Sequence, residues 1–211
     1  MQIVVISPES RDPREVPAMR RFFAAGLECY HVRKPSWTAP VLEAWLSALP
    51  REWRPRIVLH EHHSLVGKLG LGGRHDKDEG QGGGPPPGAV SRSCHDLASL
   101  RRHLGAYDSI LFGPVFPSLS KPGYGPPAGF PWYELWALLR QTKRVDAPTA
   151  QRPARILAIG GITDQRLARC DEIGFDGAAV LGAVWNDPDP ARALAGIRNE
   201  AARLEKALNG A

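Results

Sequence analysis

Short runs of β-branched and apolar residues alternate with amphipathic helical stretches from one end of the chain to the other. That alternation limits the fold more than any other feature. The strand candidates are 3–7, 28–33, 56–60, 71–75, 89–93, 109–113, 155–159 and 177–181, of which 71–75 is the weakest. Between them, 16–25, 40–49, 95–104, 131–141, 164–171 and 190–208 carry helical spacing, several opened by a capping residue or an early proline. Eight strands with intervening helices in 211 residues predict a single compact (β/α)8 TIM barrel spanning 1–211. A doubly wound open sheet is the structural alternative.

Composition narrows the class further. With 43% apolar residues the chain can bury one sizeable core, whereas two full domains would be cramped. No stretch reaches the roughly 18 apolar residues needed to span a bilayer, and the opening Met1-Gln2-Ile3-Val4-Val5-Ile6 lacks the basic start of a signal peptide. A cytoplasmic protein with no membrane association is expected. The cysteines Cys29, Cys94 and Cys170 stand far apart without a C-x-x-C pair, so they are expected to be buried and reduced. The net charge of +5 would suit an anionic partner, but the arginines are scattered in singles and pairs. Nucleic acid is therefore not expected, because its binders cluster their cations on one face. A small phosphorylated substrate needs only two or three well-placed cations.

Two segments break the rhythm, and each follows a strand candidate. Residues 76–88 (DKDEGQGGGPPPG) are low in complexity and are expected to form a solvated mobile loop. Residues 114–130 (PVFPSLSKPGYGPPAGF) mix aromatics, hydroxyls and a lysine with Gly and Pro, and are read as a second mobile loop. Its place after a strand is where barrel enzymes carry their chemistry.

Three clusters suggest chemistry. The strand 155–159 runs into Gly160-Gly161 and a Thr-Asp helix start, and the next strand ends in Leu181-Gly182. If these are the seventh and eighth strands, the two turns form the recurrent phosphate site of barrels, with backbone N–H groups and a helix dipole facing the anion. His31 and Arg33 alternate onto one side of a strand end, beside Lys34, and cations there suit a diphosphate. Ser118, Ser120 and Lys121 offer two hydroxyls and an ammonium in the long loop, which Gly123 and Gly125 would allow to move.

The stretch Gly113-Pro114-Val115-Phe116-Pro117-Ser118-Leu119-Ser120-Lys121 resembles the "GPVFPTxTK" segment of thiamine phosphate synthases. It is followed by AIGGIT and by 174–180, which is similar to their "GADGVAV". His31 to Pro35 falls where that family has "QLREK", His60-Glu61 where it has "ND", and Ser93-Cys94-His95 where it has "SAH". The resemblance extends to the sister TenI-type thiazole tautomerases. It implies a (β/α)8 barrel and a transferase that joins hydroxymethylpyrimidine diphosphate to thiazole phosphate, releasing pyrophosphate with Mg2+. By position, it implies that Arg33, Ser120 and Lys121 act on the departing diphosphate with Ser93 and Ser118. His31, Lys34, His60 and His95 would line the substrates, and Gly160, Gly161, Leu181 and Gly182 would hold the thiazole phosphate. Glu61 is one implied metal ligand, and the second has no unique counterpart among Asp76, Asp78 and Glu79, of which Asp78 is taken.

There are departures from the pattern. The family lysine falls on Pro35, so Lys34 would have to replace it, and the glutamine falls on His31. A weakened diphosphate site would point to a tautomerase, but the tautomerase histidine of "GHVF" falls on Pro114; a tautomerase and a non-catalytic thiazole-phosphate-binding relative are the alternatives. His31, His60 and His95 are the candidate general bases for an isomerase. His60-Glu61-His62-His63 also invites a zinc reading, but neighbouring strand residues face opposite ways and no third ligand is identified, so a polar loop is expected. Trp45, Trp53, Trp132, Trp136 and Trp185 are expected mostly to pack helices on the barrel, with homo-oligomerisation left open.

Overall fold

The computed structural model describes residues 1–78, 88–119, 123–143 and 154–209. Strands β1 (Gln2–Ile6), β2 (Tyr30–Val32), β3 (Ile57–Leu59), β4 (Gly73–Asp76), β5 (Ala89–Cys94), β6 (Ser109–Phe112), β7 (Arg155–Ile159) and β8 (Gly177–Val180) close into one parallel barrel in chain order. Closure comes from β1 lying beside β8, with Gln2 opposite Gly177 and Val5 opposite Val180. The eight expected strands are all present, and the open-sheet alternative is excluded by that last pairing.

The helices are α1 (Glu15–Ala24), α2 (Ala39–Ser47), α3 (Leu65–Leu69), α4 (Leu97–His103), α5 (Trp132–Lys143), α6 (Asp164–Ile173), α7 (Gly182–Trp185) and α8 (Pro190–Asn209). Each long one follows from an apolar stripe; α1 turns Ala18, Met19, Phe22 and Phe23 onto the strands. Start signals act as anticipated at α4, where Asp96 accepts the Ser99 N–H at 2.7 Å, two residues after the expected start. The short α3 and α7, and a 3-10 turn at Arg51–Arg56, were not anticipated, since one turn has no periodicity to read. Strand β2 is shorter than 28–33 because its pairing with β3 covers only Tyr30 to Val32.

Strand parity divides the interior in two. Ile3, Val5, Tyr30, Val32, Ile57, Leu59, Ile110, Phe112, Ile156 and Ala158 face the helices in the main core. Their neighbours Val4, Ile6, Leu111, Leu157 and Ala179 form a second, smaller apolar cluster inside the barrel. That inner cluster comes from β1 and β6–β8. On the β2–β5 side the inward positions toward the carboxyl ends are polar, above Cys29 and Val58: His31, His60, His75 and Ser91, all buried, with Ser93 beside them. The barrel therefore has an apolar half and an imidazole–hydroxyl half.

Trp53 and Trp185 are buried, Trp45 and Trp132 pack partly against the core, and Trp136 is exposed. The Trp185 indole donates to the Ile6 carbonyl at 2.7 Å, and Arg14 donates to the Trp185 carbonyl at 3.0 Å, tying the two ends of the chain together. All three cysteines are free thiols; Cys94 and Cys170 are buried and Cys29 is partly so. Among the described residues no helix is long and apolar enough to cross a membrane.

Candidate active site

A cavity of about 480 Å³ opens at the carboxyl ends of the strands. One wall is built from the turns after β7 and β8. Gly160 and Gly161 both have positive φ, at 96° and 63°, conformations that favour glycine. A Cβ on Gly161 would also lie 2.2 Å from the Pro117 carbonyl oxygen. The loop after β6 is fastened there, with Val115 N–H on the Ile159 carbonyl at 2.9 Å and Phe116 N–H on Gly160 at 3.1 Å. Gly113 makes this close approach possible, since a side chain there would meet the Ile159 carbonyl at 2.1 Å.

The same loop then crosses to the β8 turn. A Cβ on Gly182 would lie 3.3 Å from Leu119 Cβ, and the Ser118 N–H returns to the Tyr124 carbonyl at 2.7 Å. Gly160, Gly161, Leu181, Gly182 and Ser118 thus line one cavity, together with Leu119 and Tyr124. Ser120 and Lys121 lie outside the described residues, between Leu119 and Gly123, as does most of 76–88.

The facing wall carries charge. Arg33 lines the cavity and pairs with Glu9, while its N–H is held by Ser7 Oγ at 2.9 Å. Lys77 and Asp78 lie beside it. Burial would raise the Asp78 pKa, but the Ser99 hydroxyl at 2.6 Å, the His95 N–H at 3.0 Å and the charge of Arg92 outweigh it and hold the carboxyl below its ordinary value. The His95 ring sits 2.5 Å from the Gly113 carbonyl, to which Nδ1 donates. Ser93 completes this side.

The floor is imidazole. His31 Nδ1 lies 2.9 Å from His60 Nε2, and His75 is held at both nitrogens, by Ser91 Oγ at 2.8 Å and Ser93 Oγ at 2.9 Å. Burial lowers the His31 pKa to about 3. Burial first, then the neighbouring imidazoles and Arg33, pulls His60 and His75 well below the ordinary histidine value. All three are neutral at physiological pH. His60 and His75 border the cavity; His31 lies beneath them.

One expectation is corrected by this geometry. Lys34 does not reach the cavity. Its side chain is fully buried, with Nζ 2.6 Å from Glu15 Oε2 and 2.6 Å from the Pro8 carbonyl, under the rings of Trp37 and Trp45. The strand ends before it, and the four-carbon stem turns outward beneath α1 rather than inward. Glu61 and Asp78, the implied metal ligands, are placed differently. Glu61 Oε2 accepts the Lys34 N–H at 3.0 Å and does not border the cavity, while Asp78 is engaged by Ser99, His95 and Arg92.

Sequence reasoning assigned no role to His75, Lys77, Glu9 or Tyr124, all of which line the cavity. For His75 the available signal was parity: it is the inward residue of β4, level with His60 across the Leu59–Arg74 pairing. Of the His60-to-His63 run, only His60 joins the floor; His62 turns to the Trp37 carbonyl at 2.6 Å.

A closed (β/α)8 barrel with a mouth built from glycine turns after its seventh and eighth strands belongs to the barrel enzymes whose substrates enter at the carboxyl face. A family model described as thiamine monophosphate synthase matches residues 84–184. The thiamine-phosphate synthase of Bordetella pertussis is 31% identical over 201 residues, covering 87% of each chain. That of Methylobacillus flagellatus is 26% identical over 200 residues, covering 89% of this chain and 88% of its own. The crystal structure of thiamine phosphate pyrophosphorylase from Bacteroides thetaiotaomicron superposes with a TM-score of 0.73 at 25% identity, covering 96% of this chain and 98% of that one. The chain belongs to the thiamine-phosphate synthase family.

Proposed function

We propose that the protein is a thiamine-phosphate synthase, joining hydroxymethylpyrimidine diphosphate to thiazole phosphate with release of pyrophosphate. The observation that supports this most is the convergence of Gly160, Gly161 and Gly182 with Arg33, Ser93, His95 and Ser118 on one cavity. The phosphate of the thiazole would sit on the glycine turns, where α6 starts and adds a favourable dipole. The apolar half, from Ile6, Leu111, Ile159 and Ala179, offers a seat for flat heteroaromatic rings.

The reaction asks little covalent work of the chain. Loss of pyrophosphate from the pyrimidine methylene leaves a ring-stabilised cation, and the thiazole nitrogen captures it. Arg33 and Lys77 complement the charge growing on the leaving group, aided by Ser93 and Ser118 and, in this proposal, by Ser120 and Lys121. For Arg33 this means exchanging Glu9 for a diphosphate oxygen when substrate enters. Leu119 and Tyr124, which line the cavity, would help keep water from the cation.

The family resemblance implies Mg2+, a hard ion that takes oxygen ligands. Asp78 lines the cavity with its carboxylate engaged by Ser99, His95 and Arg92, whereas Glu61 keeps Oε1 without a hydrogen-bond partner, 4.0 Å from Lys77 Nζ. Among the described residues Glu61 and Asp78 would be the oxygen donors toward Mg2+, which would share the diphosphate charge with Arg33 and Lys77. The tautomerase alternative is not favoured, because its proton acceptor is replaced by Pro114, whose ring has none.

Mass spectrometry tests the reading. With both substrates and Mg2+, thiamine phosphate should appear; in D2O with thiazole phosphate alone, no deuterium should enter the ring beyond the enzyme-free rate. Exchange without coupled product would mean an isomerase instead.

A further inference from the structure

We propose that His31, His60 and His75 form a binding site for a borderline divalent transition-metal ion of the zinc class, with its fourth position open to the cavity. The site does not depend on the coupling reaction and can be tested without it.

The three residues come from neighbouring strand ends: His31 in β2, His60 directly after β3 and His75 in β4. One nitrogen from each lies within 4.8 Å of the others, and among the described residues this is the group of three metal-ligating side chains so gathered. The rings of His31 stand edge-on to His60 and His75 at centroid distances of 5.1 and 5.4 Å, and those of His60 and His75 stack at 4.1 Å. A tetrahedral set of three imidazoles has its nitrogens about 3.3 Å apart, given metal–nitrogen distances near 2.0–2.1 Å. The His31–His60 pair, at 2.9 Å, is already inside that span. Closing the remaining gap requires the His75 ring to turn out of its stack with His60 and to give up one of its two serine partners.

The surroundings have the form of a ligand site. Serines stand at both nitrogens of His75, so when one nitrogen binds the ion the other keeps a hydroxyl partner that fixes the ring. His31 and His60 share one hydrogen bond; for a metal to take both nitrogens, the proton between them passes to the far nitrogen of the donor ring, leaving that imidazole neutral. The imidazoles are neutral, the form that ligates. An all-nitrogen set selects zinc-class ions over Mg2+ or Ca2+, which take oxygen. No carboxylate hydrogen-bonds any of the three rings among the described residues, so a bound dication would retain its charge. Arg33 and Arg92 add further positive charge nearby. The open fourth position therefore favours an anion, hydroxide or a phosphate oxygen.

The test is Co2+ titration of metal-stripped protein, following the visible ligand-field bands of four-coordinate cobalt, with Zn2+ as competitor. One ion per chain is expected, displaced by Zn2+ but not by excess Mg2+. His31→Gln, His60→Asn and His75→Asn should each weaken binding by about 100-fold or more, whereas His62→Asn and His63→Asn should bind as the parent does. X-ray absorption on the unaltered zinc-loaded protein guards against variants that fail to fold, and should show three imidazole nitrogens at about 2.0–2.1 Å. Absence of cobalt bands, fewer than three imidazoles, or unchanged affinity in all three cluster variants would overturn the site.

Discussion

The buried Lys34–Glu15 pair sets structure against sequence position most sharply. Lys34 Nζ touches Glu15 Oε2 at 2.6 Å, and Glu15 Oε1 accepts the Tyr30 hydroxyl at 2.9 Å, with both ionic side chains almost wholly out of water. Burial raises the Glu15 pKa despite Lys34 and Tyr30, so the carboxylate is held at a cost that its partners only partly offset. Lys34→Met leaves that charge with Tyr30 alone, and removing one partner of a buried pair costs about 3–5 kcal/mol. At about 2–4 °C per kcal/mol for a chain of this size, melting should fall by roughly 6–20 °C. The loss has a defined pH dependence. A carboxyl whose folded pKa is raised binds its proton more tightly when folded, so stability falls as pH climbs from the unfolded value, about 4.3, to the folded one. The variant should therefore lie closest to the parent in acid and furthest from it at neutral pH. Adding Glu15→Gln removes the stranded charge, keeps an acceptor for Tyr30, and should recover most of the loss. Thermal melts across pH, with turnover per folded molecule, provide the assay. A single variant that melts within about 1 °C of the parent yet loses affinity for the pyrimidine diphosphate would refute the structural role and restore Lys34 to the site.

Other perturbations probe the mouth. Gly161→Asp places a side chain against the Pro117 carbonyl and a negative charge where phosphate is expected; calorimetric affinity for thiazole phosphate should disappear, and unchanged affinity would remove the phosphate site. Lys121→Ala should leave melting within about 0.5 kcal/mol of the parent but lower turnover by roughly 100-fold, and a parental rate would reject its role on the leaving group. Asp78→Asn should flatten the acid limb of stability. The lowered pKa of Asp78 gives stabilisation that is complete above its ordinary value, about 3.9, and is lost as pH falls through the folded one, so parent and variant melts should converge below about pH 4.

The barrel was legible because its signals are local and repeated. Each strand run has the right length and residue type; the seventh ends in the pair Gly160-Gly161 and the eighth in Leu181-Gly182, small residues suited to tight turns. The glycine turns and Arg33 were legible for the same reason: parity and a strand terminus suffice to place them at the mouth. Lys34 was not, because its partner Glu15 is 19 residues away and nothing in a Lys-Pro step shows which way a flexible stem will turn. The imidazole floor was hidden differently. Its members lie far apart in sequence, and the conspicuous run from His60 to His63 drew attention to side chains that strand geometry sends apart. Only the register of β2, β3 and β4 shows that His31, His60 and His75 meet.

Pyrophosphate release, measured continuously with purified protein, Mg2+ and hydroxymethylpyrimidine diphosphate in the presence and absence of thiazole phosphate, bears most directly on the proposed coupling. The account predicts release that requires thiazole phosphate, matches thiamine phosphate mole for mole, and fails in Gly161→Asp. No release from the parent protein while thiazole phosphate still binds, or release equally fast without it, would contradict the synthase assignment.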